Sequence, residues 1–86
     1  MKTFKLQIAA PDGMRYDGDA VQISVRGIEG DLAVMANHTP FITSVKPCRC
    51  KMELDDGTEK VFEVERGLLS VSSEIVTLMS GSAKWI

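Results

Sequence analysis

The chain has 86 residues, 44% of them hydrophobic and 26% charged, with a formal net charge of −2. That length holds one small domain, and so large an apolar supply with so little net charge excludes a disordered chain. Ten basic side chains against twelve acidic ones, at a pI near 5.3, give no basic face for nucleic acid and none for an anionic membrane.

Residues Met1 to Lys5 open no apolar run of signal-peptide length. No later stretch is long enough to span a bilayer, so the chain reads as soluble and cytoplasmic. Periodicity is two almost throughout, the spacing of half-buried strands. Phe4, Leu6 and Ile8 alternate with Lys5 and Gln7 up to a turn at Pro11-Asp12-Gly13. Met14 and Tyr16 are read as facing one way, with Asp17-Gly18 turning the chain again. Val21, Ile23 and Val25 make the next apolar face. Gly27-Ile28-Glu29-Gly30-Asp31 reads as a loop, Leu32 and Val34 as a short strand, and Ile42 to Val45 as another that stops before Pro47.

The second half repeats this grammar. Cys48, Cys50, Met52 and Leu54 share a face, and Asp55-Asp56-Gly57-Thr58 is a strong hairpin turn. Val61, Phe62 and Val64 bring the chain back; Gly67 to Val71 and Ile75 to Met79 flank a turn at Ser72-Ser73-Glu74. Turn signals every 8–12 residues with no helical stretch predict an all-β antiparallel sandwich or barrel. The last six residues, 81–86, look unlike strand. Trp85 and Ile86 either pack back on the sandwich or lead into further chain.

Catalytic chemistry is nearly absent. His38 is the only histidine, so a histidine pair is impossible, and beside Asn37, Thr39 and Pro40 it reads as a turn or interface residue rather than a base. No serine sits in a nucleophile elbow. Cys48 and Cys50 lie two apart on one strand face, roughly 6–7 Å at the backbone, awkward for a disulfide. A zinc site would need two further ligands, so the pair reads as two small reduced side chains facing inward. Gly27 and Gly30 precede a strand, not a helix, and fail as a phosphate loop. Asp17/Asp19 and Asp55/Asp56 are turn chemistry. The sequence thus predicts no catalytic residue, no metal and no cofactor.

One long ordered pattern remains. Pro11-Asp12-Gly13 and Gly18 are followed by Val25-x-Gly27-x-Glu29-Gly30-Asp31-Leu32-x-Val34 and Asn37-His38-x-Pro40, then by Val64-x-x-Gly67-x-Leu69-x-Val71 and Val76-Thr77-Leu78. It resembles the N-terminal domain of the epsilon subunit of F-type ATP synthases over residues 3 to about 83, most specifically from Gly27 to Pro40. Ala33, Ala36-Asn37, Cys48 and Arg66 stand where that family usually has glycine or Pro-Gly, and Asn37 tolerates the same backbone.

The resemblance implies a flattened sandwich of roughly ten strands in two sheets, without the family's C-terminal helical hairpin. It implies a non-catalytic subunit at the foot of the central stalk, peripheral on the cytoplasmic face of the cell membrane and not inserted in the bilayer; the alternating apolar faces, with no heptad, predict a monomer in isolation. Its partners would be the gamma subunit and the membrane rotor ring. Carried onto this sequence, Glu29, Gly30 and Asp31 are the ring contact; His38, Thr39, Pro40, Phe41 and Thr43 are the gamma contact, on a separate surface. The competing reading is a free-standing β-barrel that binds a peptide or an oligonucleotide, although the five aromatic residues form no stacking platform.

Overall fold

The structure is a computed structural model that describes residues 2–28, 30–36 and 39–86. Ten strands follow one another: β1 (Phe4–Ala10), β2 (Gly13–Ala20), β3 (Gln22–Gly27), β4 (Gly30–Met35), β5 (Phe41–Val45), β6 (Cys48–Glu53), β7 (Glu59–Val64), β8 (Gly67–Val71), β9 (Ile75–Ser80) and β10 (Ala83–Trp85). Hydrogen bonding links them in the order β10-β7-β6-β3-β5-β8-β9-β1-β2, with β4 on β3. The path is continuous but narrows at one place, where β3 and β5 share the single pair Gly27 and Val45. That junction divides the ladder into two layers, β10-β7-β6-β3-β4 and β5-β8-β9-β1-β2, folded on each other within 30 × 24 × 20 Å.

The alternating apolar residues fill the space between the layers. Leu6, Ile8, Ile23, Val34, Met52, Leu69 and Leu78 are fully buried, and Phe62, Val45 and Cys50 nearly so. Burying a residue of this size stabilises by about 1.5–3 kcal/mol, which is how so short a chain offsets the entropy of ordering. Close packing also fixes Gly67, because a Cβ there would lie 2.5 Å from the Met79 carbonyl oxygen on β9.

Several expectations are corrected. Asp17-Gly18 does not turn the chain: β2 runs straight through, with Asp17 opposite Gln7 and Gly18 opposite Leu6. Met14 and Tyr16 do not share a face. A bulge leaves Arg15 without a partner residue on β1, so Tyr16 falls opposite buried Ile8 and Met14 opposite Ala9. One extra residue reverses the parity of a strand, and Met14 is accordingly 52% exposed.

The end of the chain is strand after all. β10 pairs antiparallel with β7, Ala83 opposite Val64 and Trp85 opposite Phe62. Its indole meets Phe62 edge-on at 5.6 Å and Tyr16 at 6.4 Å, so Trp85 packs back on the sandwich. The bulged Arg15 reaches across the same seam, its Nε donating to the Ala83 carbonyl at 2.9 Å. The sheet is also not wholly antiparallel: β1 and β9 run parallel, Leu6 beside Val76 and Ile8 beside Leu78. Among the described residues no helix is long and apolar enough to cross a membrane.

Candidate functional site

The segment read as a loop from Gly27 to Asp31 is a tight hairpin. Gly27 pairs with Gly30 and Arg26 with Asp31, so only residues 28 and 29 lie between the strands. Gly30 has φ +126 with nothing near the position of a Cβ; backbone conformation, not space, calls for glycine there. Glu29 and His38 lie outside the described residues.

Asp31 is exposed, and its carboxylate accepts from Arg26 Nε at 2.8 Å across the hairpin. That hydrogen bond, with the attraction of the carboxylate charge, raises the Arg26 guanidinium pKa above its usual value. Both groups face solvent, so the pair orients more than it stabilises. Sequence reading missed this partner. Its signal was present: opposite charges immediately outside two glycines that flank a two-residue connection. On the same side an open groove of about 440 Å³ is bordered by Arg26, Asp31, Arg49 and Lys51. Arg49 meets Glu63 at 3.4 Å and Lys51 meets Glu59 at 3.5 Å, so these cations are engaged within the sheet.

A second open groove, of about 420 Å³, lies between the hairpin and β5 and is lined by Ile28, Gly30, Leu32, Phe41, Ile42, Thr43 and Ser44. It brings Gly30 from one predicted set together with Phe41 and Thr43 from the other. Asp31, from the first set, borders the other groove instead. The junction between β3 and β5 creates this proximity: Ile28 N donates to the Ser44 carbonyl at 3.3 Å and Lys46 N to the Arg26 carbonyl at 3.0 Å. Thr39 and Pro40 are exposed beyond it, while Phe41 and Thr43 are half-buried. Phe41 packs partly against the core.

Ile28 and Ile42 were not singled out from sequence, yet they are 58% and 68% exposed. For Ile28 the signal was an apolar residue in a glycine-flanked turn. For Ile42 alternation pointed the other way, because its neighbours Phe41 and Thr43 take the more buried face.

The cysteines share a strand face, as expected. Their sulfurs are 3.7 Å apart and both thiols are free. Cys50 is buried while Cys48 is half-buried. Burial, reinforced by the neighbouring Cys48, pushes the Cys50 thiol pKa well above its usual range.

The family described as ATP synthase, Delta/Epsilon chain, beta-sandwich domain matches residues 3–86. The ATP synthase epsilon chain of Clostridium novyi (strain NT) is 37% identical over 84 residues, 98% of this chain. The chain spans 64% of that relative's length. Among solved structures, a chain in the cryo-EM structure of the Euglena gracilis mitochondrial ATP synthase, OSCP/F1/c-ring in rotational state 1, superposes with a TM-score of 0.92 at 19% identity, over 96% of this chain and 53% of that one. A chain of the Tetrahymena thermophila mitochondrial ATP synthase central stalk and c-ring superposes at 0.77 with 12% identity, over 95% and 66%. These two likenesses speak to the fold; the family match and the bacterial relative speak to descent. This chain belongs to the ATP synthase delta/epsilon-chain family, as its β-sandwich domain.

Proposed function

We propose that this chain is the sandwich portion of an epsilon-type rotor subunit, joining the gamma subunit to the membrane rotor ring of an F-type ATP synthase. Ion flow through the ring and ATP synthesis then turn together. No bond is made or broken in the chain itself; its work is mechanical. Residues 1–86 act as one epsilon-type N-terminal domain, peripheral on the cytoplasmic face of the cell membrane, with the helical hairpin of the family lying outside them.

The observation that carries this reading is the groove between the β3–β4 hairpin and β5, in a chain of this family. It carries exposed apolar side chains, Ile28 and Ile42, while the Arg26–Asp31 pair of the same hairpin borders the neighbouring groove. Such a mixture suits a partner surface, where apolar contacts supply affinity and charged ones fix register. Glu29, Gly30 and Asp31 meet the ring, and His38, Thr39, Pro40, Phe41 and Thr43 meet gamma. Gly30 of the first set and Phe41 and Thr43 of the second line one groove, so the partners approach each other at this end of the sandwich.

The test is reconstitution of the chain with gamma and with the ring, each separately and then both together. Association with each partner, and more strongly with the two joined, is expected. A chain that binds neither, or that binds oligonucleotide instead, contradicts the proposal.

A further inference from the structure

Among the described residues, three strands have a neighbour on one side only: β2, β4 and β10. An open strand edge pairs with other chains unless it is short, charged, bulged or interrupted by proline. Two of these edges are guarded. β10 has three residues, and β2 carries a bulge against β1 and the exposed acids Asp17 and Asp19. β4 is six residues long without proline, and its register against β3 is unbroken. Its one charge, Asp31, is drawn back across the hairpin to Arg26.

The hydrogen bonds of β3 fix which groups β4 leaves open. Lys46 N donates to the Arg26 carbonyl, so the Arg26 backbone faces away from β4. Arg26 and Asp31 are therefore a pair without mutual backbone bonds, and such pairs alternate along an antiparallel ladder. Asp31, Ala33 and Met35 thus direct their N–H and C=O groups off the edge of the sheet, where among the described residues no backbone bond reaches them. Beside this edge lies the groove of Leu32, Phe41 and Ile42.

We propose that the β4 edge accepts an extended segment of a partner protein as an added antiparallel strand, with apolar residues at every second position and a basic residue opposite Asp31. Main-chain bonds to Asp31, Ala33 and Met35 hold the segment, and the groove reads its alternate side chains. Residues opposite Leu32 and Val34 face inward, as those two do. The Asp31 side chain is 74% exposed, so it has an open side for a cation on the added strand. This holds whichever rotor component supplies the segment.

The probe is the peptide acetyl-Thr-Val-Thr-Leu-Lys-Val-amide, which lies antiparallel on Met35 to Gly30 with its lysine opposite Asp31. Amide hydrogen exchange by NMR reads its binding. In the free chain Asp31, Ala33 and Met35 exchange quickly between protected neighbours, and saturating peptide is expected to slow all three at least about tenfold. Ala33→Pro removes an outward N–H and no bond to β3, so the strand circular dichroism is kept and the slowing is lost. The same peptide N-methylated at the threonine opposite Ala33 is expected not to bind the unaltered chain, and a glutamate in place of its lysine is expected to weaken binding. No slowing at millimolar peptide overturns the proposal, as does slowing that survives N-methylation or survives Ala33→Pro in a folded chain. A free chain that dimerises, and that Ala33→Pro makes monomeric, gives the edge to a second copy and overturns it too.

Discussion

The two places where the sheet meets itself are built from different materials. At the β3–β5 junction the link is backbone: one residue pair, Gly27 with Val45, flanked by the hydrogen bonds from Ile28 and Lys46. Side chains there are left outward, with Ile28 and Ile42 more than half exposed. At the opposite seam the link is side chain. From β2, Arg15 donates to the Ala83 carbonyl and Tyr16 meets Trp85 edge-on; on the β10 side the indole rests on its β7 neighbours, Phe62 edge-on and Lys60 Nζ 5.4 Å from the ring centroid. A seam closed by backbone leaves its side chains available to a partner; a seam closed by side chains engages them with one another. The first is suited to binding and the second to holding the fold.

Substitutions that separate stability from assembly sharpen this contrast. The largest loss of stability is expected from Phe62→Ala, which empties a core position 2% exposed and removes the ring beneath Trp85. Loss of a buried aromatic costs about 3–5 kcal/mol, a large share of the stability of so small a domain. Urea unfolding followed by circular dichroism measures it.

Trp85→Ala comes next. It removes both edge contacts and the Lys60 contact from a side chain that is still 43% exposed, so a loss of about 1–3 kcal/mol is expected. In a domain of this size that lowers the thermal midpoint by roughly 4–8 °C per kcal/mol. An unchanged midpoint means the seam is not held by its aromatics.

At the other end, Ile42→Ser is expected to change stability by less than about 0.5 kcal/mol, because the side chain is 68% exposed. Its effect belongs to assembly: binding to reconstituted partners weakens while the unfolding curve stays in place. A variant that loses stability and keeps binding reverses the roles assigned to the two seams.

How much of this was legible follows from what period two encodes. Leu6, Ile8, Ile23, Val25, Leu69 and Val71 advertise their faces, and all are buried. Alternation reports which way a side chain points, not which strand lies beside it, so the parallel pairing of β1 with β9 was invisible. Strand β2 was broken at Asp17-Gly18 because its polar outward residues resemble a turn; pairing with β1 overrides that preference. The bulge at Arg15 hid for the same reason, since one residue changes parity without changing composition. Strand β10 was missed because three residues are too few to show a period.

The site divides similarly. The hairpin glycines and the acidic tip were legible because backbone geometry restricts residue choice there. That Gly30 shares a groove with Phe41 and Thr43 was not, because it depends on the contact of Gly27 with Val45, eighteen positions away in sequence. The Arg26–Asp31 pair changes how the acidic tip is best tested. Asp31→Lys alone sets two cations side by side across the hairpin, confounding partner loss with local repulsion.

The central claim is that the acidic hairpin tip itself meets the rotor ring. The most direct measurement compares ring binding by the natural chain with that of a charge-swapped double variant, Arg26→Asp with Asp31→Arg. The swap preserves an opposite-charge pair across β3 and β4, so the unfolding free energy is expected to stay within about 0.5 kcal/mol. Ring binding is expected to fall at least about tenfold, equivalent to about 1.4 kcal/mol, with gamma binding much less affected. A swapped chain that folds normally and binds the ring as tightly as the natural one contradicts the claim.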